Sequence, residues 1–296
     1  MKKLIEYIRN EVNYSQQEMA DALDVTFATI NRWENGHTLP GKMAQGKLYD
    51  FCKEKNINLQ KYIEDKIKEE IQTISSEGII LYHGSKSGLV GEIGPKSRER
   101  CDFGKGFYMG TDILQPLMLI CDFEKAGFYV LTLQMEGLKA VEVPVGLEWA
   151  MLVAYNRGKM EDIAGSALYS KYEKITKEND VIIGHIADDR MFYVLERFFN
   201  GDITDEALVN SLSALKLGKQ YAAVTGKACQ QIKVEKEIAI SEIEKKFLQD
   251  ISGENRKNGI ELADKICKDY RREGRFFDEI KEEGVGLDGE AADTMV

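Results

Sequence analysis

Histidine is scarce in this chain of 296 residues. His37, His83 and His185 are too few and too far apart to form an obvious metal cluster. The cysteines, Cys52, Cys101, Cys121, Cys229 and Cys267, are odd in number and never form a Cys-x-x-Cys pair. Neither a disulfide framework nor a zinc site is expected; reduced thiols in a cytoplasmic protein are. No apolar run approaches the ~18 residues a membrane span needs. The basic start, Met1-Lys2-Lys3-Leu4, soon meets Glu6 and Arg9 inside an amphipathic pattern, unlike a secretory signal. Positive charge is also in deficit, with a formal net charge of −10. That argues against broad coating of nucleic acid, because phosphate neutralisation is the main source of non-specific affinity. It leaves room for a small local DNA-binding surface, doubled by dimerisation.

What remains is ordinary globular material. Hydrophobic residues make up 43% and charged residues 30%, enough for real cores, and the length suggests two domains. The first 12 residues carry Leu4, Ile5, Ile8 and Val12 at helical spacing. Ser15 with Glu18 reads as a capping box opening a short helix that turns Met19, Ala20 and Leu23 to one side. Asp24 marks a turn. Thr26 caps a second short helix with Ile30 and Trp33 facing inward, Gly36 stops it and Pro40 prevents its resumption. Helices are expected near 42–54 and 58–72, with Lys61 to Glu70 a solvated helix or linker.

The pattern changes at Gly78. Strands are expected at 79–82, 106–109, 128–133 and 138–143, the last two joined at Glu136-Gly137, and again at 181–184, 220–225 and 231–236. Helices are expected around 147–156, 188–200 and 204–215 and from 241 onward. The resulting division is a head over 1–68, a linker over 69–77, a second domain over 78–240, a helical extension over 241–282 and a disordered tail over 283–296. The fold class is therefore multidomain, an all-α bundle followed by an α+β domain with a helical C-terminal extension.

The segment from Ser15 through Gly36 to Pro40, with Gln16, Glu18, Ala20, Val25, Ile30 and Trp33 in order, closely resembles the Cro/C1-type (XRE) helix-turn-helix family. Asp24 stands where a glycine is common. The resemblance implies DNA binding through residues 1–68 as a homodimer. Thr26, Phe27, Ala28 and Thr29 would face base edges, Gln16 and Asn31 would reach bases or phosphates, and Arg32 a phosphate. A bundle used only for dimerisation or protein docking is the alternative, because the head lacks a basic stripe.

In the second domain, Leu81-Tyr82-His83-Gly84-Ser85 is a buried strand ending in His-Gly, and Asp102-Phe103-Gly104-Lys105-Gly106-Phe107-Tyr108 is a two-glycine loop entering a strand. Singly each is weak. In this order they resemble the diphtheria-toxin-like branch of the ADP-ribosyltransferases, which includes the poly(ADP-ribose) polymerases, and a bacterial subgroup of that fold found beside toxin–antitoxin genes. Gly218-Lys219-Gln220-Tyr221-Ala222-Ala223-Val224 is the best match to the third element, placing Gln220 where that branch has Glu or a substitute.

The resemblance implies NAD as substrate, no metal, and a mono-ADP-ribosyltransferase of toxin-like character. His83 would hold a ribose hydroxyl of the adenosine half and the Gly84 backbone the nicotinamide amide. Tyr108 would pack against nicotinamide and Gln220 would bond the nicotinamide ribose, with Ser85 and Gly106 also at the NAD site. A glutamine offers no full charge, so poly(ADP-ribose) growth is disfavoured. Asp102, Asp188 and Asp189 are acids that could sit near Gln220, with a surface or turn role as the alternative for each. The alternative is an antitoxin-like regulator whose second domain binds NAD or a partner without turnover. A phosphate-handling relative of the fold would need basic residues around His83 or Tyr108, and the sequence places no cluster beside them. The acceptor is unassigned, and toxin-like neighbours imply a dedicated inhibitor protein as a further partner. Arg271, Arg272 and Arg275 with Phe276 and Phe277 are expected to cover the second domain, with docking of a partner as the alternative.

Overall fold

The computed structural model describes residues 1–75, 77–215 and 218–293, the stretch 286–293 by backbone alone. The chain begins with five helices: α1 (Lys2–Glu11), α2 (Gln16–Leu23), α3 (Phe27–Glu34), α4 (Lys42–Glu54) and α5 (Gln60–Ile71). Ser15 and Glu18 form the expected capping box, and the Thr26 hydroxyl accepts from the Thr29 N–H at the start of α3. Asp24 takes the left-handed conformation at φ 54°, the turn conformation glycine adopts freely, and its carboxylate lies 3.5 Å from Lys47. Leu4, Ile8, Met19, Leu23, Ile30 and Trp33 close one core.

The second body is built on a seven-stranded mixed sheet. Its elements are β1 (Ile79–Ser85), β2 (Phe107–Gly110), α6 (Leu114–Ile120), β3 (Gly127–Leu133), β4 (Ala140–Glu142), α7 (Leu147–Asn156), α8 (Ala167–Glu178), β5 (Val181–His185), α9 (Asp189–Phe199), α10 (Asp205–Ala214), β6 (Lys219–Ala223), α11 (Gly226–Gln230) and β7 (Ile232–Ile238). The strand order is β4-β5-β6-β2-β1-β3-β7. Among the described residues only the β4–β5 pair is parallel. Three strands from distant parts of the sequence, β1, β2 and β6, thus become neighbours at the centre.

The expected junction of β3 and β4 at Glu136-Gly137 is not a hairpin. β3 pairs with β1 and β7, whereas β4 pairs with β5. The turn signal is real, since Gly137 has φ 72°, but it carries the chain to the far edge of the sheet. Helices α6, α8 and α11 lie outside the sequence expectation. The α6 segment is apolar nearly throughout and has no polar face to set a period; it starts where Asp112 accepts from the Gln115 N–H, with Pro116 in its first turn.

The head and the second body are not separated by a free linker. Helix α5 runs through Ile71, and its Ile63 and Ile67 are fully buried against Phe128, Val130 and Leu248 of the second body, joined by Ile71 and Ile74. Most of the dense charge of Lys61 to Glu70 occupies the outer face, while Lys66 turns in to pair with the buried Glu244. Two long helices complete the chain, α12 (Glu242–Asp269) and α13 (Phe277–Asp293). Ile243, in the first turn of α12, belongs to the head's core, while Ala263 and Cys267 of the same helix lie in the main core beneath the sheet.

Helix α13 extends to Asp293, into the stretch 283–296 expected to be a disordered tail, and 294–296 lie outside the described residues. Phe277 and Ile280 are buried, Arg275 pairs with Glu283, and Leu168 packs where Gly284 has no side chain. A helix anchored in its first turns propagates at one hydrogen bond per residue, which a search for periodicity in the tail alone does not capture.

Candidate functional site

The head presents α3 by its N-terminal end. Thr26, Phe27 and Ala28 are exposed, as is Arg32 one turn on, and Thr29 is half-buried. Gln16 and Asn31 serve the architecture as well: Asn31 Nδ2 donates to Gln16 Oε1 at 3.2 Å, and Gln16 Nε2 donates to Glu34 Oε2 at 2.6 Å. The buried Glu34 carboxylate also takes Arg9 Nε at 2.7 Å, and Arg9 reaches the Tyr14 carbonyl. This network ties α1, α2 and α3 into one orientation, so the exposed end of α3 is held rigidly. Met19, Leu23, Ile30 and Trp33 are buried, as core residues should be.

The second site lies on the sheet. His83, Tyr108 and Gln220, read from three separate motifs, line one cleft of about 380 Å³. Pairing brings them there: Tyr82 faces Gly110 across β1 and β2, and Gly110 faces Gln220 across β2 and β6. On its other side Gln220 faces Gly184 of β5. Gln220 is therefore flanked on both neighbouring strands by glycine, which clears the sheet surface around it. Gly184 has a second reason to lack a side chain, since a Cβ there would come within 2.5 Å of the Phe103 ring.

Gly84 is likewise dictated by packing. A Cβ would meet the Pro116 carbonyl oxygen at 2.5 Å, so only glycine lets α6 settle against β1. Through that contact α6 brings Gln115, Pro116 and Leu119 to the cleft wall. A second cleft of about 490 Å³ adjoins the first and shares His83 and Tyr108 with it; Ser85 and Gly106 line this one. Ser85 turns its hydroxyl to the Gly88 carbonyl at 2.7 Å, and the Gly106 N–H donates to Ser97 Oγ.

The chemistry of His83 is set by its neighbours. Nδ1 lies 2.7 Å from the Tyr108 carbonyl oxygen, which can only accept, so Nδ1 carries the proton. Burial pushes the imidazole below its ordinary pKa and keeps it neutral, which leaves Nε2 as a bare acceptor. The ring is stacked on Phe107, centroids 4.4 Å apart. The Tyr108 hydroxyl is committed inward: it donates to the Gly104 carbonyl at 2.6 Å and accepts from the Phe103 N–H at 3.0 Å. Burial drives its pKa far up, so Tyr108 offers a ring, not an acid.

Of the three acids weighed from sequence, only Asp102 reaches Gln220. Asp102 is buried, lines the cleft and pairs with Arg157 at 2.5 Å; its other oxygen accepts from Gln220 Nε2 at 3.3 Å. Asp188 caps α9 and pairs with Arg190, and Asp189 is exposed. Sequence reasoning also missed the basic residues. Arg98, Arg100 and Arg157 all line the cleft, so the expectation of no basic cluster near His83 or Tyr108 is corrected. Arg98 and Arg100 arrive on the long loop between β1 and β2, and Arg157 from the end of α7, which has no proximity to His83 in sequence.

A helix-turn-helix family model matches residues 5–43. The model of a family described as "Protein of unknown function (DUF3990)" matches residues 79–234, from the start of β1 into β7. No curated protein and no solved structure matches the chain. The N-terminal bundle is thus a DNA-binding helix-turn-helix domain, followed by a body of mixed sheet and helices. Among the described residues no helix is long and apolar enough to cross a membrane.

Proposed function

Because the chain belongs to the DUF3990 family, whose name carries no activity, and bears a DNA-binding head, we propose from its cleft that it is an NAD-dependent mono-ADP-ribosyltransferase carried on a DNA-reading domain. The observation that supports this most is the convergence of His83, Tyr108 and Gln220 on one cleft from three strands. The chemistry suits NAD as substrate. His83 Nε2 is an acceptor fit for a ribose hydroxyl. The Tyr108 ring is a platform for a flat heterocycle. Arg98 and Arg100 supply positive charge for a diphosphate, and two adjoining clefts sharing His83 and Tyr108 suit a two-lobed dinucleotide.

In the reaction, the bond from ribose C1′ to the nicotinamide ring nitrogen breaks and its electron pair leaves with nicotinamide. An acceptor oxygen or nitrogen bonds C1′ and gives its proton to solvent. The carbon passes through an oxocarbenium-like state, as in glycoside cleavage. The leaving group is already cationic before it departs, so no general acid is needed. The chain's task is to hold both ends and align the acceptor.

Incubation with NAD labelled in the adenosine half tests this. Nicotinamide release and label transfer are expected from the wild type, with losses of about a hundredfold or more in His83→Ala and Tyr108→Ala. Neither product from the wild type, with DNA and cell extract supplied as acceptors, would sink the enzyme reading.

A second reading, a regulator that binds NAD without turnover, is favoured by one observation: the acid nearest Gln220 is already paired with Arg157. NAD binding seen by calorimetry without nicotinamide release selects it.

A further inference from the structure

We propose that Asp102 is a positioning residue that fixes the amide of Gln220 so that this glutamine presents only a hydrogen-bond acceptor to the ligand. The proposal rests on the reading of the cleft as an NAD site and deepens it. A glutamine amide has one accepting and one donating end, and the surroundings decide which is which. Here Nε2 is 3.3 Å from Asp102 Oδ2 and 3.0 Å from the His185 carbonyl oxygen. Both are acceptors, so both amide protons are used inside the protein. The atom Gln220 has left for a ligand is its carbonyl oxygen. His83 Nε2 is also an acceptor, so His83 and Gln220 both select hydroxyl donors, and the sugar hydroxyls of a dinucleotide are such donors.

Asp102 can do this because its two oxygens are divided. Oδ1 takes Arg157 Nε at 3.1 Å and Nη2 at 2.5 Å, while Oδ2 faces Gln220. Arg157 is itself held over the Phe192 ring, 4.3 Å from its centroid. An asparagine at position 102 has a single acceptor, which Arg157 claims; its NH2 then faces Gln220 and turns the amide around. A glutamate at position 220 is also mismatched, since it sets a carboxylate against Asp102 and the His185 carbonyl. Placing an acid at position 220 alone is therefore expected to fail, and the pair must change together.

The test is a double-mutant cycle with Asp102→Asn and Gln220→Glu, read in two independent ways. In nicotinamide release, each single variant is expected about tenfold or more below wild type, with the NAD KM raised in Asp102→Asn. In the double variant the new amide at position 102 donates to the new carboxylate at position 220. Its activity is expected to rise above that of both single variants yet stay below wild type, because the His185 carbonyl still faces the carboxylate. In thermal unfolding, Asp102→Asn is expected to destabilise the wild type but stabilise the Gln220→Glu background. Gln220→Glu alone is expected to gain stability relative to wild type as the pH falls from 7 to 5, because two facing carboxyls raise one pKa and the folded state then binds the extra proton.

A Gln220→Glu variant as active and as stable as wild type, or effects that simply add, overturns the proposal. If no variant releases nicotinamide yet the thermal cycle reverses sign, the transferase reading fails and the pairing stands. If the wild type is active and the thermal cycle is additive, the pairing alone fails.

Discussion

The hydroxyl of Tyr49 on α4 donates to the carboxylate of Asp250 on α12, 2.5 Å away and 201 positions along the chain. Lys53 pairs with the same carboxylate at 2.9 Å, and Lys66 of α5 pairs with the buried Glu244. With Ile243 inside the head's core, these contacts join the DNA-binding domain to α12, and the head and body are expected to unfold as one unit.

Ile243→Ala is expected to destabilise the whole protein by ~2–5 kcal/mol, the range for truncating a buried aliphatic side chain. The two tryptophans report on opposite ends, Trp33 in the head core and Trp149 in the main core. In single-tryptophan variants made by Trp33→Phe and Trp149→Phe, fluorescence melts should coincide and shift together on Ile243→Ala. A head transition that moves while the Trp149 transition stays put contradicts a shared unit.

The burial of His83 gives a pH dependence of known sign. Its folded pKa lies below the unfolded value of about 6.5, so the unfolded chain binds the proton first. Its contribution is complete above that value and is lost as the pH falls below it. Melting temperature from pH 8 to 5 should decline more steeply below about 6.5 in the wild type than in His83→Asn. Parallel curves would count against a buried neutral imidazole.

Two glycines separate packing from conformation. Gly84→Ala drives a methyl against the Pro116 carbonyl and Ile120 and should cost about 1–3 kcal/mol, with the cleft damaged as α6 shifts. Gly226 opens α11 with nothing near its would-be Cβ, so Gly226→Ala should be neutral or stabilising by a few tenths of a kcal/mol. Urea midpoints of the two variants check both signs at once.

On DNA, Arg32→Ala should weaken binding about equally across sequences and reduce the salt slope by about 1, as loss of one phosphate contact does. Thr29→Ala should relax sequence preference instead. Thr26→Ala is a poor probe of readout, because Thr26 is the cap of α3 and its loss costs ~1 kcal/mol of helix stability. Gel shifts on the promoter region of the protein's own gene, over a salt series, distinguish these; an Arg32→Ala slope equal to wild type contradicts the phosphate role.

The head was legible almost residue by residue, since capping, turn and stop signals are local chemistry. Ser15, Thr26 and Gly36 each speak about the few positions around them. In the body, strands were legible as apolar runs and α7 fell at 147–156 as expected, but pairing was not. Nothing local in Gly110 or Gly184 says that both flank Gln220, because register is a long-range property. Arg157 was invisible as a site residue for the same reason: its partner Asp102 lies 55 positions away. The union of head and body was hidden in Ile63, Ile67 and Ile243, whose spacing shows an apolar face but not which core receives it.

The placement of Ile243 bears on how the protein is made. Synthesis runs from the N-terminus, and domains generally fold as they emerge. This head is translated before α12, yet its core lacks Ile243 until that residue has left the ribosome. A chain that stops short of α12 carries the reading helix on an open bundle. Such a chain is expected to read DNA less firmly than one whose sheet and cleft have already been synthesised.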